Sequence, residues 1–250
     1  MKTSILLSTA AAVFSASCMA DTISIRADDW FPINGQPDAA KPGFMIELAT
    51  RIFTEAGHEV DYKLMPWERA VDSVRKGEFD CVVGAYKEDA PDFIFPNENW
   101  GIDDTGFFVK EGDSWTYSGP DSLLQRKVAV INGYAYGDTL DKLIEDNPSV
   151  FQGLGGSDAL EKNVKKLEAG RADVIIESPS VMQAKLKEMG VSGIVLAGTL
   201  DEPSEIYIAC SPAKDSSKQY MDLVDKGTAK LRASGELAKI MESYGLEDWK

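Results

Sequence analysis

The sequence predicts an α/β protein of two similarly built lobes, each a mostly parallel sheet flanked by helices, joined by two crossover segments. Three observations lead there. Strand-like and helix-like segments alternate, and the alternation occurs twice along the chain. A helix–Gly–strand junction recurs with the same internal spacing in each run. A long helical tail then follows a late strand, too long to be an ornament on the second lobe. A chain of 250 residues is also the size expected of two domains of about 100 residues each.

The elements can be read in order. Thr22 to Ala27 alternates apolar and polar residues, as a half-buried strand does. Residues 28–42 are polar and rich in Pro and Gly, hence a loop. Met45, Leu48, Ala49, Ile52, Phe53 and Ala56 fall on one face of a helix, and Gly57 stops it. Val60 to Met65 is a second strand. Trp67 to Arg75 is helical, with Ala70, Val71 and Val74 on one side and Gly77 at its end. Phe79 to Ala85 is a nearly continuous apolar strand, as when both faces are covered. Strand, helix, strand, helix, strand implies parallel pairing with right-handed crossovers.

The second run repeats this plan. Lys127 to Ile131 is a strand, about Tyr136 to Glu145 a helix, Val150 to Leu154 a short strand, Ala159 to Glu168 a helix, and Val174 to Ile176 a buried strand. The motif Val71-x-x-Val74-x-x-Gly77-x-x-Asp80 is matched by Val164-x-x-Leu167-x-x-Gly170-x-x-Asp173. Ile206 to Cys210 is a last strand, and helices at about Ser216 to Ala233 and Glu236 to Tyr244 close the chain, a tail expected to return to the first lobe. Candidate hinges are Val109 to Asp113 and Thr199 to Ser204.

Residues 1–20 read as a secretory signal peptide, with Lys2, a short apolar run from Ile5 to Phe14, and cleavage expected after Ala20. The run is about half the length of a membrane span. Cys18 raises the alternative of lipid attachment, against which Ser15 stands where lipoprotein signals carry a branched aliphatic. Export to the periplasm is the expectation. The formal charge is −15, and an acidic surface repels phosphate backbones, so nucleic acid is a poor partner. The single histidine, His58, reads as a solvated loop residue. One histidine without a cysteine cluster argues against a metal site, and nothing calls for a cofactor. Cys81 and Cys210 are two buried thiols or, in an oxidising compartment, a disulfide.

Several short pieces together resemble the bacterial extracellular solute-binding proteins of family 3, the amino-acid-binding group of ABC transporters. They are Gly43-Phe44-x-Ile46-Glu47-Leu48, Pro66-Trp67-Glu68-Arg69-Ala70, Lys76-Gly77-x-Phe79-Asp80, Phe93-x-Phe95-Pro96, Lys127-Val128-Ala129-Val130 and Leu231-x-x-Ser234-Gly235-Glu236-Leu237-x-x-Ile240. The resemblance implies the two-lobed periplasmic binding protein fold of type II, hinged, with ligand in the cleft. It divides the chain into residues 21–110 plus 204–250 for lobe one and 111–203 for lobe two. It also implies a strand returning beside the third one, which would bring Cys210 near Cys81. Many amino-acid binders of this family carry an Arg just after the third strand that grips the ligand carboxylate. Here that stretch is Tyr86-Lys87-Glu88-Asp89-Ala90-Pro91-Asp92, without Arg.

Ligands on parallel sheets bind outside the carboxyl ends of the strands. Trp30, Trp67 and Tyr86 stand at such ends and are expected to wall the cleft. Arg69 is the expected charge anchor, since a guanidinium pairs bidentately with a carboxylate. Gly133 and Tyr134 lie between a strand and a helix, where backbone amides and a glycine suit an anion. Glu177 ends the third strand of lobe two. The resemblance places near there an Asp that takes the ligand ammonium, and Glu177 is longer. The expected role is capture of a small polar solute, an amino acid or similar, for an ABC permease at the inner membrane, by a monomer that does no chemistry. The alternatives are a secreted cyclohexadienyl-dehydratase-like enzyme, with Glu177 as general acid, and a ligand-sensing partner of a membrane receptor.

Overall fold

The computed structural model describes residues 20–200 and 202–250, so the signal-peptide reading and Cys18 lie outside the described residues. The first run is β1 (Thr22–Ala27), α1 (Phe44–Glu55), β2 (Glu59–Leu64), α2 (Trp67–Arg75), β3 (Cys81–Ala85) and β4 (Gly101–Asp103). The second is β5 (Gly106–Lys110), β6 (Val128–Ile131), α3 (Asp138–Asp146), β7 (Phe151–Leu154), α4 (Ala159–Glu168), β8 (Val174–Glu177), α5 (Pro179–Met189) and β9 (Ile194–Thr199). The chain returns through β10 (Ser204–Cys210) and ends in α6 (Ser217–Ala233) and α7 (Glu236–Ser243).

These strands form two five-stranded sheets of one plan. Their orders are β2-β1-β3-β10-β4 and β7-β6-β8-β5-β9. In each, three parallel strands from consecutive β–α–β units are followed by one antiparallel strand, β10 or β5, and by an edge strand, β4 or β9. The repeated motif explains part of the likeness. Asp80 accepts the backbone N–H of Ser24 at 2.8 Å, and Asp173 accepts that of Lys127 at 2.8 Å. Each carboxylate thus ties the turn before the third strand to the start of the first strand in its own lobe. Gly77 and Gly170, which release the chain from the preceding helix, both have positive φ, 77° and 67°, a conformation that costs glycine little.

β5 pairs with β8 and β9, so residues 106–110 belong to the second sheet. The first crossover is therefore Asp104–Thr105, and not Val109 to Asp113 as the sequence suggested. The reason is that an apolar run marks a strand but not the sheet it joins. The second crossover runs from Thr199 to Ser204. The two lie side by side, joined by a hydrogen bond of 2.9 Å from the Leu200 N–H to the Thr105 carbonyl. They form a narrow two-stranded neck between the sheets.

In lobe one, Ile23, Ile25 and Ala27 on one face of β1 pack with Met45, Leu48, Ala49, Ile52 and Phe53 of α1, all buried. Fully burying each large side chain contributes about 1.5–3 kcal/mol. α6 lies against α1 so closely that a Cβ on Gly227 would stand 2.6 Å from the Ile52 side chain. The other face of β1 buries Arg26, which pairs with Asp61 at 2.7 Å and lies over the Phe79 ring at 4.1 Å. His58 is buried as well, not solvated as its loop position suggested. Its Nδ1 accepts the Asp21 N–H, and its ring meets Tyr220 edge-on. Among the described residues no helix is long and apolar enough to cross a membrane.

Cys81 and Cys210 are joined by a disulfide with a sequence separation of 129. It staples β3 to β10, the strand that returns from lobe two, within a core where both cysteines are fully buried. A bond closing so long a loop removes much freedom from the unfolded chain and contributes about 2–4 kcal/mol. Reduction, or the Cys81→Ala/Cys210→Ala pair, is expected to lower the melting temperature by about 5–15 °C. Scanning calorimetry with and without reductant measures this, and an unchanged melting temperature contradicts it.

Candidate functional site

The carboxyl ends of the parallel strands of the two sheets meet. From lobe one come the tip of β1 (Asp28, Asp29, Trp30), the start of α2 (Trp67), the turn after β3 (Gly84 to Asp89) and the end of β4 (Asp103). From lobe two come the turn after β6 (Gly133 to Tyr136) and the end of β8 (Glu177, Ser178). Local chemistry sets each in place. Trp30 opens a tight turn closed by backbone bonds in both directions with Asn34, and Tyr62 pins the same loop through the Gly35 carbonyl at 2.8 Å. Gly84 has φ 76°, and a Cβ there would stand 2.7 Å from Asn34 Oδ1 and 3.1 Å from the Trp30 ring. Only glycine lets β3 pass so near that turn.

Four carboxylates lie in this seam, and four of their hydrogen bonds cross between the lobes. Asp28 accepts the Tyr134 hydroxyl at 2.5 Å. Asp89 accepts the Ala135 N–H at 3.1 Å, together with the Tyr86 N–H at 2.8 Å and Trp67 Nε1 at 3.3 Å. Asp103 accepts the Ser178 hydroxyl at 2.5 Å and the Tyr86 hydroxyl at 2.9 Å. Glu177 Oε1 accepts Trp30 Nε1 at 2.8 Å and the Ser178 N–H at 2.8 Å. Glu177 Oε2 and Asn34 Oδ1 are buried without a hydrogen-bond partner. At the rim, Lys185 of α5 reaches Asp29 at 3.3 Å and Glu188 at 2.7 Å.

The aromatic side chains complete the seam. Trp30 meets Tyr86 and Tyr134 edge-on, with ring centroids 6.2 and 6.4 Å apart. Asp28, Trp30, Trp67, Gly84, Tyr86, Asp89 and Tyr134 enclose a cavity of about 20 Å³, room for about one water molecule. The described chain is thus a form with its lobes in contact. A larger groove of about 780 Å³ opens beside it, between the 31–41 loop and α5. It shares only Asp29 with the strand-tip seam, and the buried polar chemistry lies in the smaller cavity.

Burial governs the protonation of the carboxyls. Loss of water pushes Asp28 and Asp103 up to about 6, Asp89 up to about 7 and Glu177 up to about 8, and the hydrogen bonds only partly offset this. Tyr86 and Tyr134 are pushed well above their ordinary value by the same loss of water and by the neighbouring carboxylates. Among the described residues no group of three or more His, Cys, Asp or Glu side chains is placed to hold a metal ion.

Of the residues singled out from sequence, the structure gathers Trp30, Trp67, Tyr86, Tyr134 and Glu177 in the seam. Gly133 lies at its rim, where a Cβ would stand 2.8 Å from that of Glu68 on α2. Arg69 does not join them. It is exposed on α2, whose buried face is Trp67, Ala70, Val71, Ser73 and Val74, so the helical turn carries it away from the cleft. The amides after β6 are also engaged by the protein itself, Ala135 by Asp89 and Tyr136 by Asp141 at 2.9 Å. Sequence reasoning missed Asp28, Asp89, Asp103 and Ser178. Asp28 stood at the tip of the first strand and Asp89 in the stretch just after the third, and their type alone could have drawn attention. Asp103 lies on an edge strand with no pattern to reveal it.

Residues 24–145 match the family described as bacterial extracellular solute-binding proteins, family 3. No curated protein matches the chain. Among solved structures, it is similar to a protein of Streptococcus mutans described in connection with glutathione import and the cystine ABC importer (TM-score 0.77, 18% identity, 93% of this chain and 98% of that one). It is similar to an ancestral arginine-binding protein bound to arginine (TM-score 0.76, 19% identity, 90% and 98%). It is also similar to an amino acid ABC transporter substrate-binding protein of Streptococcus pneumoniae bound to L-arginine (TM-score 0.71, 24% identity, 90% and 94%). At these identities the likeness shows the fold, two mixed sheets of the two-lobed type II architecture.

The raised carboxyls carry a consequence for closure. A carboxyl whose pKa is higher with the lobes together holds more protons there than with the lobes apart. Closure then takes up protons, and it weakens as pH rises from the ordinary carboxylate range through about 6 to 8. The radius of gyration of the ligand-free protein is expected to increase between pH 5 and pH 9. Glu177→Gln should remove the most alkaline part of that change. A radius constant over this range in small-angle scattering contradicts the expectation.

Proposed function

We propose that this chain, which belongs to the bacterial extracellular solute-binding proteins of family 3, captures a small polar solute between its two lobes and presents the closed form to an ABC-type permease. The observation that carries the reading is the seam itself. Polar and aromatic groups from the strand tips of both sheets converge on one point, and a two-stranded neck at Thr105 and Leu200 is the chain's only covalent link between the sheets among the described residues. Such a neck allows rotation with few backbone changes, and ligand contacts from both sides then decide the balance between open and closed forms.

Export to the periplasm, cleavage after Ala20 and action as a monomer accompany this reading. In this reading lobe one is residues 21–104 with 204–250 and lobe two the segment between them, a division supported by the membership of β5 in the second sheet. The chain does no chemistry in this proposal. Each buried carboxylate in the seam accepts hydrogen bonds from neutral donors, an arrangement that fastens the lobes together. Trp30, Trp67, Tyr86 and Tyr134 would cover the apolar part of the solute, and Glu177 would take a donor group.

A solute at 100 times its dissociation constant adds about 2.7 kcal/mol to stability, so it should raise the melting temperature by about 5–10 °C. It should also hold the radius of gyration at its closed value at pH 8. Tyr134→Phe and Trp30→Phe each delete one lobe-crossing hydrogen bond to a carboxylate and should weaken binding about 10- to 100-fold. A thermal-shift screen followed by calorimetric titration measures both effects. If no solute in a broad set of amino acids, amines, organic acids and sugars shifts the melting curve, solute capture is wrong.

A further inference from the structure

The chemical class of the solute can be read from which hydrogen-bonding groups of the seam are engaged and which are not. Most of the donors are engaged. Within their own lobes the Trp67 indole and the Tyr86 amide point at Asp89, the Tyr136 amide at Asp141 and the Ser178 amide at Glu177, and across the seam the Ala135 amide points at Asp89. Backbone amides at such strand ends suit a ligand carboxylate, and here a carboxylate of the protein's own, Asp89, already sits on them. Asp89 belongs to the stretch after β3, residues 86–92, that contains no arginine.

The acceptors are in surplus. Glu177 is 3% exposed and its Oε2 is unpartnered, as is Asn34 Oδ1, which is 1% exposed. No Arg or Lys side chain lines the cavity, whereas two of its seven lining residues are Asp and four are Trp or Tyr. Buried carboxylates call for a positive partner, and aromatic rings grouped around one point favour a cation. A solute bearing its own carboxylate would meet Asp28, Asp89 and Glu177 with no cation to offset them.

We infer that, when the lobes part to admit a solute, the groups around Asp28, Asp89 and Glu177 bind a small organic cation without a carboxylate, an amine, guanidine or quaternary ammonium, and that Asp89 supplies the carboxylate the solute lacks. This rests on the reading of the chain as a solute-binding protein. The site therefore selects against α-amino acids while accepting their decarboxylated counterparts.

The test is a calorimetric titration at pH 8 with matched pairs that differ by one carboxylate: agmatine against L-arginine, cadaverine against L-lysine, putrescine against L-ornithine, tetramethylammonium against glycine betaine. At least one decarboxylated cation should bind at least 10-fold more tightly than its partner. Glu177→Gln should weaken that cation at least 10-fold, with circular dichroism confirming that the variant folds. Asp89→Ala, which exposes the Ala135 and Trp67 donors, should narrow or reverse the ratio within the pair. An amino acid binding as tightly as its decarboxylated counterpart overturns the inference and leaves capture by closure standing, as does a sugar or organic acid binding when none of the cations does. A protein that binds nothing in the wider screen sinks the underlying reading instead.

Discussion

Burying several carboxylates together without a neighbouring cation is the constraint around which the molecule is arranged. Asp28, Asp89, Asp103 and Glu177 stand where two sheets meet tip to tip. Each is compensated by a hydroxyl, an indole or an amide, and never by a guanidinium or ammonium within the cavity. Neutral donors offset only part of the cost of taking a carboxylate out of water. The seam is therefore held together and, at the same time, poised against staying together as the carboxyls ionise. A binding protein needs that balance, because a lobe pair that closed firmly by itself would leave a ligand little to add.

The rest of the fold delivers the two halves of that seam while keeping them separable. Each sheet has its own core face and its own helices. Each receives its fourth strand from chain that has just crossed the neck, so β5 and β10 are both anchors of the hinge and members of a sheet. The disulfide fixes β10 to β3 at the end of β10 remote from the neck. In the proposed closure, rotation takes place about the short segments around Thr105 and Leu200, with Trp30 on its pinned turn and Glu177 at the end of β8 carried as parts of rigid bodies. A hydrogen bond such as that between them reports on the angle between lobes and on little else.

Much of the scaffold was legible because it follows simple periodicities. Ile23, Ile25 and Ala27 alternate as a strand should, the apolar face of α1 recurs at helical spacing, and Gly77 and Gly170 with Asp80 and Asp173 mark the same junction twice. What stayed hidden lacked a local signature. β5 reads as Gly-Phe-Phe-Val-Lys, an apolar run whose sheet is not known until its partners β8 and β9 are. α5, Pro179–Met189, has a weak apolar face because it lies beside the opposite lobe, where Lys185 reaches Asp29. The site divides in the same way. Aromatics at strand tips could be anticipated from topology. Arg69 was misjudged because proximity in sequence to a strand end does not set which side of the next helix a residue faces. Asp28 and Asp89 were passed over because buried carboxylates are rare, and nothing short of the packed structure shows that these two lose their water.

The central claim, that the carboxyls of the seam share a dry site without a counter-cation, can be examined directly. Carbon-13 NMR of the side-chain carboxyls, assigned through Asp28→Asn, Asp89→Asn, Asp103→Asn and Glu177→Gln, follows their titration in the ligand-free protein and again with a bound organic cation. The account predicts that Glu177 and at least one of the three aspartates titrate in the range of about 6 to 8 without ligand, and that the cation moves them sharply down. Four carboxyls that all titrate in the ordinary carboxylate range, indifferent to cations, would contradict it.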